Sequence, residues 1–136
     1  MSSVLIIDDE ADIRDSVGQL LTRAGYEVRT ANNGSEGIAA YRHASADLVI
    51  TDMIMPKGHG LDAIKALRSE FPQARIIAVS GGGNFGPQSY KSEAITTTAY
   101  LAAAAAAGAD IVLTKPFDRK TLLDAVYRLC PPGNPG

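Results

Sequence analysis

The sequence predicts an α/β fold: a three-layer sandwich of five βα units around a parallel five-stranded sheet with strand order 2-1-3-4-5. Two observations carry that expectation. Short apolar runs of strand length alternate along the chain with segments whose apolar residues recur at helical spacing. Val4-Leu5-Ile6-Ile7, Leu48-Val49-Ile50-Thr51, Ile76-Ile77-Ala78-Val79 and Ile111-Val112-Leu113-Thr114 are nearly all apolar, as strands covered on both faces are. Parallel strands need crossover connections, and those connections are right-handed.

The elements follow in order. Strand one spans about 3–8. Ile13, Val17, Leu20, Leu21 and Ala24 mark helix one, which Gly25 stops. Glu27 to Ala31 is a weaker, more polar strand and belongs at a sheet edge. Asn33-Gly34 is a turn, and Ser35 is the expected N-cap of a helix running to about Ala44. Strand three is 47–52. Leu61, Ile64, Ala66 and Leu67 mark helix three, closed before Pro72. Strand four is 74–80. The stretch 81–94, with Gly81, Gly82, Gly83, Gly86 and Pro87, reads as loop. Helix four is expected from about Glu93 to Ala107, stopped by Gly108, and strand five at 110–114. Asp118 caps helix five, which carries Leu122, Leu123, Val126 and Leu129. The expected organisation is one domain over 1–130 and a flexible Pro/Gly tail over 131–136.

Composition narrows the function. The chain has 136 residues, enough for one core, with 46% hydrophobic and 21% charged residues, a globular balance. A net charge of −2 without clustered Lys/Arg argues against a nucleic-acid surface. The longest apolar run, around Ala102 to Ala107, is about half of the roughly 20 residues needed to span a bilayer. No secretion signal opens the chain, so the expected address is the cytoplasm. One cysteine, Cys130, leaves no internal disulfide and no thiolate metal cluster.

The chemistry-bearing residues stand at strand ends. Asp8 and Asp9 follow the first run, Asp52 the third, Ser80 the fourth, and Lys115, with Pro116 behind it, the fifth. In an open parallel sheet those ends gather at one edge, where such folds bind ligands. Two ionised carboxylates about 4 Å apart repel by roughly 4 kcal/mol at an effective dielectric near 20, so three acids at one edge call for protons or a cation. Mg²⁺ suits oxygen ligands of this kind. In the plainer reading Asp8, Asp9 and Glu10 only cap helix one near its positive end. That reading leaves out Asp52, on another strand and separated from helix three by Pro56 to Gly60. A carboxylate can attack phosphorus and form an aspartyl phosphate. Such a transfer needs mainly positioning and charge neutralisation, which a metal and Lys115 can supply. Ser80 can donate its hydroxyl to a phosphoryl oxygen, and Gly81 leaves the approach open.

Other chemistries fit less well. Gly81-Gly82-Gly83-Asn84-Phe85-Gly86 matches a dinucleotide-binding glycine pattern, but Pro87 and a polar stretch follow where a helix should open. Ala78-Val79-Ser80-Gly81-Gly82 is similar to a nucleophile elbow. The histidines, His43 and His59, both precede Ser80, so the hydrolase order fails. A phosphatase with an aspartyl nucleophile would place a second acid two residues after Asp52, where Ile54 stands.

The set Asp8-Asp9-Glu10, Asp52 with Met55-Pro56, Ser80-Gly81 and Lys115-Pro116-Phe117 resembles the receiver domains of two-component response regulators, over about residues 3 to 130. The resemblance implies a stand-alone, CheY-like receiver with a flavodoxin-like fold. It implies that Asp52 accepts a phosphoryl group from a histidine kinase or histidine phosphotransfer protein. Asp9 and Asp52 would ligate Mg²⁺ directly, Asp8 mostly through water, and the backbone carbonyl of Ile54 would complete the protein ligands. Lys115, Ser80 and the Gly81 backbone would contact the phosphoryl oxygens. The domain would not be an enzyme but a stoichiometric phosphoacceptor that catalyses its own phosphorylation and dephosphorylation. Output would go to a downstream protein target, with no nucleic acid and no membrane involved. A docking or homodimer face is implied on helix four, strand five and helix five. The alternative is a receiver-shaped binding module that works without phosphorylation.

Two features depart from the family. Val112 stands where an aromatic residue often precedes the lysine, and Ser80 to Lys115 spans 35 positions (115 − 80), longer than is usual. The extra residues fall at about 82–95. They read as a lid or partner surface involving Phe85, Tyr90 or Tyr100, or equally as a tolerated insertion, since longer loops cost little entropy.

Overall fold

The computed structural model describes residues 2–52, 60–81, 105–115 and 118–131. The element order is β1 (Ser3–Ile7), α1 (Ala11–Arg23), β2 (Glu27–Ala31), α2 (Gly34–His43), β3 (Leu48–Asp52), α3 (Gly60–Glu70), β4 (Ile76–Gly81), β5 (Ile111–Lys115) and a C-terminal helix (Arg119–Leu129). All strand pairs are parallel and the sheet order is β2-β1-β3-β4-β5. The expected fold class and strand order are therefore found, and β2 lies at an edge as its polar sequence indicates. Among the described residues no helix is long and apolar enough to cross a membrane.

Strand alternation divides the core in two. Val4 and Ile6 of β1 point to one face, where Val17 and Leu21 of α1 and Leu122 and Val126 of the C-terminal helix cover them. Leu5 and Ile7 point to the other, where Tyr41 of α2 and Ile64 and Leu67 of α3 pack. Val112 joins this second cluster at its margin. Gly37 lets α2 sit close on the sheet, because a Cβ there would meet Ile7 Cδ1 at 2.2 Å.

Helix ends follow local chemistry. Gly25 has φ of 101° and closes α1. The Tyr26 N–H reaches the Leu21 carbonyl at 3.0 Å, and the Gly25 N–H reaches Thr22 at 3.1 Å, the Schellman pattern. Asp118 caps the C-terminal helix as expected, accepting from the Thr121 N–H at 2.7 Å. The expected cap at Ser35 is corrected. Asn33 is the N-cap of α2 and accepts from the Glu36 N–H at 2.9 Å, while Glu36 reaches back to the Asn32 N–H at 3.3 Å. Asn33 wins because its side chain stands one turn before an acid that can return the bond, so the helix starts two residues earlier.

Of expected helix four, residues 105–107 are helical and Gly108, with φ of 123°, ends them. Residues 93–104 with Tyr100, the insertion at 82–95 with Phe85 and Tyr90, His59, and the tail beyond Pro131 lie outside the described residues.

Candidate functional site

The parallel sheet brings its carboxyl ends to one edge, and register fixes which residues meet there. Ile7 of β1 pairs with Thr51 of β3, so Asp8 and Asp52 stand one step past the same rung. β3 is the central strand, and Asp52 ends it opposite Val79. Ser80 pairs with Thr114 and Gly81 with Lys115, which carries the backbones of both sequence-chosen pairs to the same edge. The structure describes these backbones and not the side chains of Ser80 and Lys115. Ile54, Pro116 and Phe117 lie outside the described residues.

Asp8 is held from three sides. Its N–H donates to the Ala31 carbonyl at 3.1 Å, continuing the β1–β2 ladder past Ile7. Its carboxylate accepts from the Glu10 N–H at 2.9 Å, which folds the turn into α1. Arg14, one turn into that helix, donates through Nη1 to the Asp8 carbonyl at 2.6 Å. Asp8 and Asp52 are each 4% exposed, whereas Asp9 and Glu10 are open to solvent. The Thr51 hydroxyl, fully buried, donates to the Asp52 carbonyl at 3.2 Å.

These four acids converge: one carboxylate oxygen from each of Asp8, Asp9, Glu10 and Asp52 lies within 4.8 Å of the others. Capping does not explain the group. Glu10 occupies the N-cap position of α1 yet makes no side-chain cap hydrogen bond. Two buried and two exposed carboxylates at this spacing repel strongly unless a cation stands among them. All the donors are hard oxygens, the chemistry Mg²⁺ or Ca²⁺ takes, and no soft thiolate or imidazole is among them. The sequence points to Asp8, Asp9 and Asp52 as ligands; the fold adds Glu10 to the group. The signal was its position, since the turn that carries Asp8 and Asp9 must carry the next residue with them.

The model of the response regulator receiver domain matches residues 4–127 of this chain. The chain belongs to the response regulator receiver domain family. Among its relatives, the chemotaxis protein CheY of Thermotoga maritima is 35% identical over 93% of this chain and 95% of its own. CheY of Bacillus subtilis is 35% identical over 92% and 94%. Among solved structures, the chemotaxis protein CheY4 of Vibrio cholerae superposes with a TM-score of 0.75 at 33% identity, covering 95% of this chain and 98% of that one. The response regulator protein TrrA of Thermotoga maritima, solved in complex with Mg²⁺-BeF, gives 0.75 at 30% identity over 95% and 99%. This receiver domain is thus CheY-like in sequence and fold and belongs to two-component signalling.

Proposed function

We propose that this receiver domain is a phosphoacceptor, taking a phosphoryl group onto Asp52 from a histidine kinase or histidine phosphotransfer protein. The observation that supports it most is the carboxylate group around Asp52 at the end of the central strand. Bringing four carboxylates together has a repulsive cost that a divalent cation removes. Asp8, Asp9 and Asp52, with the Ile54 carbonyl, would hold Mg²⁺, and Glu10 would add a fourth carboxylate beside them. When bound, Mg²⁺ would offset the charge of the carboxylates and of the incoming phosphoryl oxygens.

The transfer itself is simple. A carboxylate oxygen of Asp52 attacks phosphorus, the P–N bond to the donor imidazole breaks, and the imidazole leaves with its electron pair and takes up a proton. An acyl phosphate remains on Asp52 until water attacks the phosphorus and restores the carboxylate. Lys115, Ser80 and the Gly81 backbone would contact the phosphoryl oxygens from β4 and β5. The domain acts once per phosphoryl group rather than as an enzyme, and it catalyses both steps on itself. Output would pass by protein–protein contact in the cytoplasm, with no nucleic acid, and the face of helix four, strand five and helix five would dock a target or a second copy.

The test is incubation with Mg²⁺ and acetyl phosphate, read by intact mass. A gain of one phosphoryl group that disappears in Asp52→Asn and without Mg²⁺ is expected. No gain in the wild-type protein would leave only a receiver-shaped binding module.

A further inference from the structure

At the edge of the sheet opposite Asp52 lies a second cleft, of about 410 Å³, between the start of β3, the end of α2 and the end of the C-terminal helix. Its lining includes a buried tyrosine whose hydroxyl has no hydrogen-bond partner among the described residues. Tyr41 is 3% exposed, its ring packed on Phe71 with centroids 4.6 Å apart, and its hydroxyl makes no hydrogen bond among the described residues. Buried polar groups nearly always have a partner, and this hydroxyl can donate to a molecule that enters the cleft. Burial first, then the Asp47 carboxylate, raises the Tyr41 pKa and keeps the hydroxyl a neutral donor.

The rim carries both charges, and they do not meet. Asp47 uses one carboxylate oxygen, Oδ2, on the Ser3 N–H at 2.8 Å and on the Ser3 hydroxyl at 3.4 Å. Its other oxygen accepts nothing among the described residues. Arg75 spends Nη1 on the Leu129 carbonyl, and its remaining donors are unused there. Neither residue is ion-paired among the described residues, although both line this cleft and both act on the buried Cys130 thiol. Gln73 and Ser45 add amide and hydroxyl groups, and Leu129 gives an apolar wall.

We propose that this cleft binds a small zwitterion of the amino-acid class, its carboxylate on Arg75 and the Tyr41 hydroxyl, its ammonium on Asp47. The volume is that of a small-molecule site, and its lining offers one acid, one cation and one hydroxyl donor, the set a ligand bearing one charge of each sign would use. A simple anion would leave Asp47 opposing it, and a simple cation would leave Arg75 opposing it. The site lies apart from Asp52, so it stands or falls without the phosphoacceptor reading.

Backbone amide shifts of the full chain, titrated singly with the L-amino acids, provide the test. Saturable shifts at Ser45, Asp47 and Arg75 are expected with at least one of them, and the methyl ester and N-acetyl form of that amino acid should each lose the effect. Tyr41→Phe and Arg75→Gln should weaken binding about tenfold or more, the loss typical of a hydrogen bond to a charged group. Tyr41→Phe should fold at least as well as the wild-type protein, because it removes an unsatisfied hydroxyl. Absence of saturable shifts with every amino acid, wild-type affinity in both variants, or a crystal structure at saturating amino acid with only water on Tyr41 would overturn the proposal.

Discussion

At the amino edge of the sheet Asp110, Glu70 and Asp47 stand apart from one another, each engaged by a cation or a backbone N–H; at the carboxyl edge four acids are gathered together. Asp110, ahead of β5, accepts from Arg68 Nη2 at 3.0 Å and from the Ile76 N–H at 2.9 Å. Arg68 also donates to the carbonyls of Gly108 and Pro72. Glu70 pairs with Arg42 at 2.6 Å. The carboxyl edge instead packs oxygens of Asp8, Asp9, Glu10 and Asp52 within 4.8 Å. Pairing of opposite charge holds the elements together. Clustering of like charge works against the fold and is tolerated where a ligand is to be bound, so the cluster marks the carboxyl edge as a functional site.

The sharpest way to break that contrast is Asp52→Asn. It should lose phosphoryl incorporation completely while its unfolding free energy in Mg²⁺-free buffer rises by about 1 kcal/mol or more, seen as a higher melting temperature, since one repelling charge is gone. A lower melting temperature in Asp52→Asn would show that the cluster is structural after all. Mg²⁺ should stabilise the wild-type protein, by about 2.7 kcal/mol at a hundred times its dissociation constant, and the variant much less at the same concentration. Arg68→Ala is the counterpart at the amino edge. It strips partners from Asp110, Gly108 and Pro72 and should cost about 2–3 kcal/mol in urea unfolding, with phosphoryl incorporation retained.

Tyr26→Phe comes next. The Tyr26 hydroxyl donates to the Cys130 carbonyl at 2.5 Å and ties the start of β2 to the end of the C-terminal helix. Its loss should cost about 1 kcal/mol. Burial raises the pKa of this tyrosine well above its ordinary 10.0, so its protonated form favours the folded state. That contribution is whole below pH 10.0 and falls away as pH rises further, so the wild-type protein should lose stability in alkali more steeply than Tyr26→Phe. Asn33→Ala removes the α2 cap and should cost about 1 kcal/mol, read by thermal unfolding. The smallest effect belongs to Glu70→Gln. Arg42 lowers the Glu70 pKa, chiefly through their hydrogen bond, so the pair contributes above the ordinary carboxylate range and fades as pH falls. High salt should erase the difference between variant and wild type at pH 7.

Much of this was legible without coordinates. Apolar runs of strand length separated by helical periodicity determine βα units, because a chain that buries both faces of a strand has few other ways to return. Gly25, Gly108 and Asp118 end or begin helices where local geometry demands it. The acids at the ends of β1 and β3 were visible because strand ends are readable from where apolar residues stop. Only the tertiary structure could decide distances between residues far apart in sequence. It brought Asp52 to the turn after β1, drew Glu10 into the same group, chose Asn33 over Ser35 as a cap, and left the Tyr41 hydroxyl without a partner among the described residues in a cleft that Asp47 and Arg75 also line. Periodicity fixes which face a side chain takes, but register and packing between separate elements fix what it meets there.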